Sequence, residues 1–169
     1  LTAMFRGAKN FNQNIGNWDV SNVLGMQSTF EMAESFNGDI GSWDVSSVQN
    51  MIWMFSEAIS FNQDISKWDV SNVTRMKMMF ENAYAFDNDI GNWDVSNVVE
   101  MNRMFYGTNF NHDIGNWDVS KVKSMEDMFF NNIKFNQDLS DWNVTNVTSM
   151  AKMFWGRKFR ICILCYRNF

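Results

Sequence analysis

The residues with the clearest capacity for chemistry are aspartates that recur at one fixed place in a repeated Trp-Asp-Val-Ser sequence. This aspartate column comprises Asp19, Asp44, Asp69, Asp94 and Asp118, and Asn143 occupies the same place in the last copy. If the copies stack as neighbouring strands about 4.8 Å apart, the carboxylates repel one another. The arrangement therefore requires a compensating interaction.

Three compensating interactions are open. The carboxylates accept hydrogen bonds from Ser or Asn side chains or from backbone amides near helix N-termini, where negative charge is favoured. Alternatively, they bind a cation such as Ca²⁺, which prefers oxygen ligands. In the third alternative the column faces a basic partner. We favour the hydrogen bonds, and we assign no metal ligands.

Cysteine and histidine chemistry finds less support. The two cysteines, Cys162 and Cys165, form a "CILC" sequence, and a C-x-x-C pair can be half of a zinc site or a redox pair. The only histidine is His112, and the sequence contains no Gly-rich phosphate loop, H-E-x-x-H or G-x-S-x-G motif. We therefore predict a non-enzymatic protein without a cofactor, whose cysteine-containing end is an apolar cap or tail.

These residues are positioned by an internal repeat. The sequence "FNQDISKWDVSNVTRMKMMFENAYA" (61–85) closely resembles "FNGDIGSWDVSSVQNMIWMFSEAIS" (36–60). The repeats start at residues 11, 36, 61, 86, 110 and 135, so that only one spacing is 24 residues instead of 25. We divide the chain into a partial repeat (1–10), six tandem repeats (11–156) and a non-repeat C-terminal cap or tail (157–169). The chain starts inside a repeat, which suggests a piece of a longer array.

Hydrophobic spacing predicts the elements of one repeat. Trp43 and Val45 alternate with polar residues, which predicts a very short strand. From Val48 to Ala58, apolar residues recur at the spacing of one helix face, and Ser46 stands where an N-cap is expected. Each repeat is thus predicted to be a short strand followed by a helix of about three turns. Because one repeat cannot bury its apolar face alone, the copies must stack.

The methionines belong to this stacking pattern. Most of the 14 lie in M-x-x-M-F segments at a constant phase, which predicts gap-filling core residues rather than a soft-metal site. The most variable positions lie beside them on the predicted helix. Ile52, Trp53 and Met78 together predict an exposed apolar contact patch there.

The recurring W-D-V-S-N-V and M-x-x-M-F motifs of "DISKWDVSNVTRMKMMF" resemble the tandem repeats of BspA-like bacterial surface proteins, which are related to leucine-rich repeats. The resemblance covers residues 1 to about 156. It implies an α/β, right-handed, leucine-rich-repeat-like solenoid with one short parallel strand and one helix per repeat. It also implies surface display, adhesion or protein binding at an extracellular or cell-surface location.

Charge narrows the choice of partner. The chain carries −5 overall, but its last fourteen residues carry +4 and the remaining 155 carry −9. An acidic body argues against nucleic acid as a partner, because phosphate contact needs clustered Lys and Arg. No apolar run is long enough to span a membrane.

Two functional hypotheses follow. The first is a module for surface display, adhesion or binding, in which the predicted sheet face with the aspartate column holds a protein or glycan. The second is an architectural scaffold subunit that docks into a larger assembly through its helix face or its ends.

Overall fold

The computed structural model describes residues 1–156. In that range the chain forms neither an α-helix nor a continuous β-strand, and each repeat is instead a run of turns that we call a coil. Isolated parallel bridges connect successive coils at Gly25, Asn50, Arg75, Glu100, Ser124 and Ser149. Because bridged residues are 24 or 25 positions apart, each coil pairs with the equivalent positions of the next.

The predicted helix is wrong. The amides of Met51, Trp53, Phe55 and Glu57 donate to carbonyl oxygens of the following coil at 2.7–3.1 Å, instead of to a carbonyl four residues back. The amides between them, from Met54 onward, close turns onto carbonyl oxygens three residues back at 3.1–3.2 Å. We call this stretch the turn segment. It spans 26–33, 51–58, 76–83, 101–108, 125–132 and 150–156.

The hydrogen bonds between turn segments all have the same direction. Met26, Ser28, Phe30 and Met32 each donate an amide N–H to the next coil. The same four positions donate in the same direction at every later junction between turn segments. The remaining cross-coil backbone bonds run the other way, for example from the amide of Gln49 back to the carbonyl of Leu24 at 2.9 Å. Each turn segment therefore presents carbonyls to the preceding coil and amides to the following one.

Left-handed backbone conformations recur at two positions of the turn segment. Trp53 has φ 56° and Glu57 has φ 58°, and both are the third residue of a turn closed by a hydrogen bond. A positive φ at that position is the mark of a type II turn, which glycine adopts without strain. Gly107 occupies the place of Glu57 in its own coil with φ 69°. The cross-coil hydrogen bonds hold the non-glycine residues in this conformation.

The predicted strand is also wrong. No bridge joins the Trp43–Val45 region of one coil to the next, although both side chains are buried as their spacing predicted. The amides of Trp43 and Val48 instead close turns onto the carbonyls of Ile40 and Val45. Ser46 has no helix to cap. The α/β class with one strand and one helix per repeat is thus contradicted for residues 1–156.

The core confirms that the apolar positions face inward. Phe30, Phe55 and Phe80 stack with ring centroids 5.5 and 5.7 Å apart, and Phe36 and Phe61 stack alongside at 6.0 Å. The paired methionines of the inner coils are fully buried between these columns, as gap-filling core residues should be. These methionines are Met51, Met54, Met76, Met79, Met101, Met104, Met125 and Met128.

Tryptophans connect neighbouring coils. The indole N–H of Trp43 donates to the carbonyl of Ile15 in the preceding coil at 3.1 Å. Trp68, Trp93, Trp117 and Trp142 repeat this bond at 3.0–3.3 Å. Each of these five tryptophans is at most 5% exposed. The recurring tryptophan is thus both a core residue and a hydrogen-bond donor between coils.

The shortened repeat has its own compensation. Asn132 lies fully buried where Ala33, Ala58 and Ala83 stand in other coils. Its Nδ2 donates to the Thr108 hydroxyl at 3.2 Å and to the Phe110 carbonyl at 2.9 Å. This amide links the shortened loop to the next coil. The predicted cap or tail (157–169), with Cys162 and Cys165, lies outside the described residues.

Candidate functional site

The aspartate column lies on the outside of the stack, where each carboxylate closes a local turn. Oδ1 of Asp44 accepts the Ser46 hydroxyl at 2.6 Å and the Ser46 amide at 3.1 Å. The amide bond to the serine two residues on recurs in every member of the column at 3.0–3.1 Å. The carboxylates thus act as turn-forming acceptors.

These hydrogen bonds stabilise the ionised carboxylates. The serine hydroxyl, and then the serine amide, lower the pKa of Asp19, Asp44, Asp94 and Asp118. The neighbouring carboxylate acts in the opposite direction, as Asp19 does on Asp44, but it is the weaker influence. Local hydrogen bonding is therefore the compensation seen in the structure. Binding of Ca²⁺ or of a basic partner at the column stays an untested alternative.

Two further polar columns have structural roles. Asp39 accepts the amide of Gly41 at 3.0 Å, and the same turn recurs at Asp64, Asp89, Asp113 and Asp138. An asparagine column connects coils, because Oδ1 of Asn12 accepts the amide of Asn37 at 2.8 Å. Asp87 replaces asparagine in this column, and His112 of the next coil contacts it, with Nε2 2.9 Å from the Asp87 carbonyl oxygen and 3.2 Å from its carboxylate.

The structure brings two of the three predicted contact-patch residues together. The Trp53 indole N–H donates to the Met78 sulfur at 2.6 Å across the coil junction. Ile52 takes no part in this contact, and its backbone amide donates to Asn50 Oδ1 at 3.0 Å. Ile52, Trp53 and Met78 are all half-buried, so the patch offers less apolar surface than expected. Binding at this patch stays a prediction.

The patch belongs to a larger surface that we call the variable face. It consists of the outward-facing positions of the turn segments, and its side chains differ from coil to coil. One of its columns, at the position directly after the phenylalanine of each M-x-x-M-F or equivalent segment, reads Arg6, Glu31, Ser56, Glu81, Tyr106, Phe130 and Trp155. The column beside it reads Ala3, Ser28, Trp53, Met78, Arg103, Asp127 and Lys152. The columns of the repeated aspartates and asparagines keep nearly the same residues in every coil, whereas two narrower columns outside the turn segments also vary, at positions 24, 49, 74, 99, 123 and 148 and at positions 34, 59, 84, 109 and 133.

A contiguous cluster crosses the middle of the variable face. Arg103 Nη2 lies 2.6 Å from Glu81 Oε1, and the Arg103 guanidinium carbon lies 4.3 Å from the centre of the Tyr106 ring. Tyr106 stacks on Phe130 in the next coil with centroids 4.8 Å apart. The Glu81 and Arg103 side chains are 13% and 33% exposed, so the ion pair is largely shielded from water.

The environment of Glu81 is unfavourable for its charge. Burial raises the pKa of Glu81 most strongly, the nearby Glu57 and Glu31 carboxylates raise it further, and Arg103 and the Ser56 hydroxyl lower it. Burial prevails because water cannot fully solvate the carboxylate. Glu81 is therefore easier to protonate than an ordinary glutamate.

Three buried side-chain atoms lack hydrogen-bond partners within residues 1–156, and all lie on the variable face. They are Oε2 of Glu31, Nε of Arg103 and Oδ1 of Asp127. Buried polar atoms in folded proteins are usually paired, so each exception needs an explanation. Arg103 and Asp127 occupy the same position in successive coils. The cluster thus contains an unpaired donor and an unpaired acceptor on adjacent coils.

Sequence reasoning missed this cluster. It singled out Trp53 and Met78 but gave no role to Glu81, Arg103 or Tyr106. The available signal was the loss of repetition at the position directly after the phenylalanine of the M-x-x-M-F motif. There glutamate and serine in the earlier repeats give way to aromatic residues in the later ones. Comparing outward positions by column would have found it.

Within residues 1–156 no three His, Cys, Asp or Glu side chains converge in a way that could hold a metal ion. The same range has no helix with the length and apolar character needed to cross a membrane.

Comparison with known proteins identifies the family. The chain matches the family described as "Mycoplasma protein of unknown function, DUF285" over residues 1–109 and 85–163, and it belongs to that family. No curated protein and no solved structure matches it.

Proposed function

We propose that this member of the DUF285 family is a non-enzymatic module that binds a protein partner through its variable face. The observation that carries the proposal is the contrast between faces. Side chains on the variable face change from coil to coil, whereas the Asp, Asn and Ser columns repeat. Selection for stacking alone favours repetition, and a specific contact requires individual side chains.

The residue types on the variable face support this proposal. Trp53, Arg103, Tyr106, Phe130 and Trp155 are of the kinds enriched at the energetic centres of protein interfaces. Cross-coil hydrogen bonds hold the backbone beneath Trp53 and Arg103, so the backbone of the variable face loses little further freedom on binding. The expectation of surface display or adhesion, from the resemblance to BspA-like repeats, belongs to the same proposal.

The alternative is an architectural scaffold. It is favoured by a row directly after the turn segments that is apolar from Ile59 to Ile133 except at Asn109, in which Ile59, Tyr84 and Ile133 are 38%, 54% and 71% exposed. Such a row fits packing against another subunit of an assembly. It differs from the first proposal in the surface that makes the contact.

The test compares two matched double variants for binding to extracellular and membrane protein fractions on a sensor surface. Tyr106→Ser with Phe130→Ser alters the variable face. Asn72→Ser with Asn97→Ser alters a repeated face, and introduces the serine that the second repeat has at the same position, Ser47. We expect the first variant to lose binding and the second to retain it. Protease treatment of the fraction should abolish binding and glycosidase treatment should not. Retention by the first variant, with loss in Ile59→Ser with Ile133→Ser, would favour the scaffold.

A further inference from the structure

The cluster on the variable face contains one cation between two carboxylates. Arg103 pairs through Nη2 with Glu81 of the preceding coil. Its backbone amide donates at 2.9 Å to the carbonyl of Glu126, the residue immediately before Asp127 in the following coil. An arginine side chain anchored at this junction has one carboxylate on each side.

The arrangement is incomplete in a specific way. Arg103 Nε is a buried donor with no acceptor, and Asp127 Oδ1 is a buried acceptor with no donor. A buried polar group without a hydrogen-bond partner destabilises the folded protein. The Glu81 pair therefore satisfies part of the guanidinium while Asp127 Oδ1 is left without a donor.

We propose that Arg103 is a two-position side chain that exchanges Glu81 for Asp127 as its carboxylate partner. In the position seen here it holds Glu81 and covers one face of Tyr106. In the second position its Nε donates to Asp127 Oδ1 and the guanidinium leaves Tyr106. The exchange changes both the charge and the aromatic surface at the centre of the variable face.

Protonation of Glu81 drives the exchange. The groups that face Glu81 are Arg103, Glu57, Glu31 and the Ser56 hydroxyl, and the two neighbouring carboxylates favour its neutral form. A neutral Glu81 no longer attracts the guanidinium by charge. Asp127 is flanked by Glu126 in its own coil and by Lys152 at the same position of the next coil, and Lys152 is exposed. Arg103 and Lys152 thus occupy this position in the two coils adjacent to Asp127, and Arg103 is the more shielded of the two cations.

The test follows the Arg103 Nε–H signal by NMR in the full chain labelled with ¹⁵N-arginine, with Arg103→Lys providing the assignment. Glu81→Gln removes the charge of Glu81 at neutral pH with little change of shape. We expect the Nε–H proton to move downfield in this variant and the Arg103 side-chain protons to lose the ring-current shift from Tyr106. Adding Asp127→Ala, which removes the acceptor, should return the Nε–H proton to its wild-type position.

Glu57→Gln is the matched control, because Glu57 is a neighbouring carboxylate that makes no ion pair with Arg103, and it should leave the Nε–H signal unchanged. In the wild-type chain the shift should appear on acidification at a pH above 4.5, the ordinary pKa of a glutamate. An unchanged Nε–H signal in Glu81→Gln overturns the proposal. So does a shift that persists when Asp127 is replaced by Ala.

Discussion

The indole of Trp68 donates its N–H to the carbonyl oxygen of Ile40 at 3.1 Å, and so connects its own coil to the preceding one. The Trp68 side chain is only 4% exposed, whereas Trp18 in the first full repeat is 38% exposed. The same residue type thus stands in two different environments within one repeat pattern.

Replacing Trp68 by Phe should destabilise the protein by about 1–3 kcal/mol, from the lost hydrogen bond and the smaller ring. The measurement is the free energy of unfolding from chemical denaturation. Trp18→Phe is the control and should cost clearly less. Equal losses at the two positions would contradict a role for the cross-coil bond.

Replacing Glu57 should reveal the strain of its left-handed backbone. With φ 58° at this position, Glu57→Gly should be more stable than Glu57→Ala by about 1 kcal/mol, because glycine adopts positive φ without a Cβ penalty. Denaturation curves of the two variants give the difference.

Ser60 supplies the matched control for this comparison. It is exposed, and its φ is not positive. There the order should reverse, with Ser60→Ala more stable than Ser60→Gly. The same order at both positions would mean that Glu57 carries no strain.

Asn132 should be indispensable for accommodating the shortened repeat. Asn132→Ala leaves the amides of Lys134 and Phe135 without their side-chain acceptor, at 3.2 and 3.0 Å in the native protein. We expect a loss of about 1–3 kcal/mol in the free energy of unfolding. Ser35→Ala, at an exposed position of the loop in a full-length repeat, should cost little.

Acid should destabilise the stack through the aspartate column. Since folding lowers the pKa of Asp44 and Asp118, each contributes stability that is present above the ordinary aspartate value near 3.8 and is lost as pH falls through the folded value. The melting temperature should therefore fall steeply below about pH 4. Replacing both residues by Asn should flatten this fall, because Asn143 makes the same turn in the last repeat. An unchanged slope would contradict the assignment.

Glu81 should have the opposite dependence on pH. Its pKa is raised in the folded state, so stability increases as pH falls through the folded value and stops increasing at the unfolded value of 4.5. The melting temperature of Glu81→Gln should lack this rise between neutral pH and 4.5. If wild type and variant show parallel curves in this range, Glu81 titrates normally.

Calcium should have no effect on stability. One oxygen of each column carboxylate is engaged by serine, and calcium requires six to eight oxygen ligands. We expect identical melting temperatures in Ca²⁺ and in EDTA, for the wild type and for Asp69→Asn with Asp94→Asn. Stabilisation by Ca²⁺ that disappears in the double variant would establish a cation site instead.

Repeat period and burial could be read from the sequence, whereas backbone conformation could not. Met51, Met54, Phe55 and Ala58 face the core as predicted, but the same spacing arises from consecutive turns as from a helix face. Gly107 and Asn82, at the position of Glu57, were the signal that this site requires a left-handed residue. Ser46 looked like a helix cap because capping and turn formation use the same hydroxyl chemistry.

The variable-face cluster could not be predicted for a different reason. Its ion pair and ring stack join residues in different coils, Glu81 with Arg103 and Tyr106 with Phe130. Which outward positions become neighbours depends on the backbone path of the turn segment. A helix would have rotated these side chains to other neighbours.

The common direction of the hydrogen bonds between turn segments makes this side of the stack electrically asymmetric. At each junction four amide dipoles add instead of cancelling, as happens along an α-helix. The turn segments therefore present partial negative charge toward earlier repeats and partial positive charge toward later ones, whereas amides such as that of Gln49 and the tryptophan indoles donate in the opposite direction elsewhere in each coil. The variable face thus has a head and a tail of its own, and a charged group lying along it would be attracted more strongly at one end than at the other.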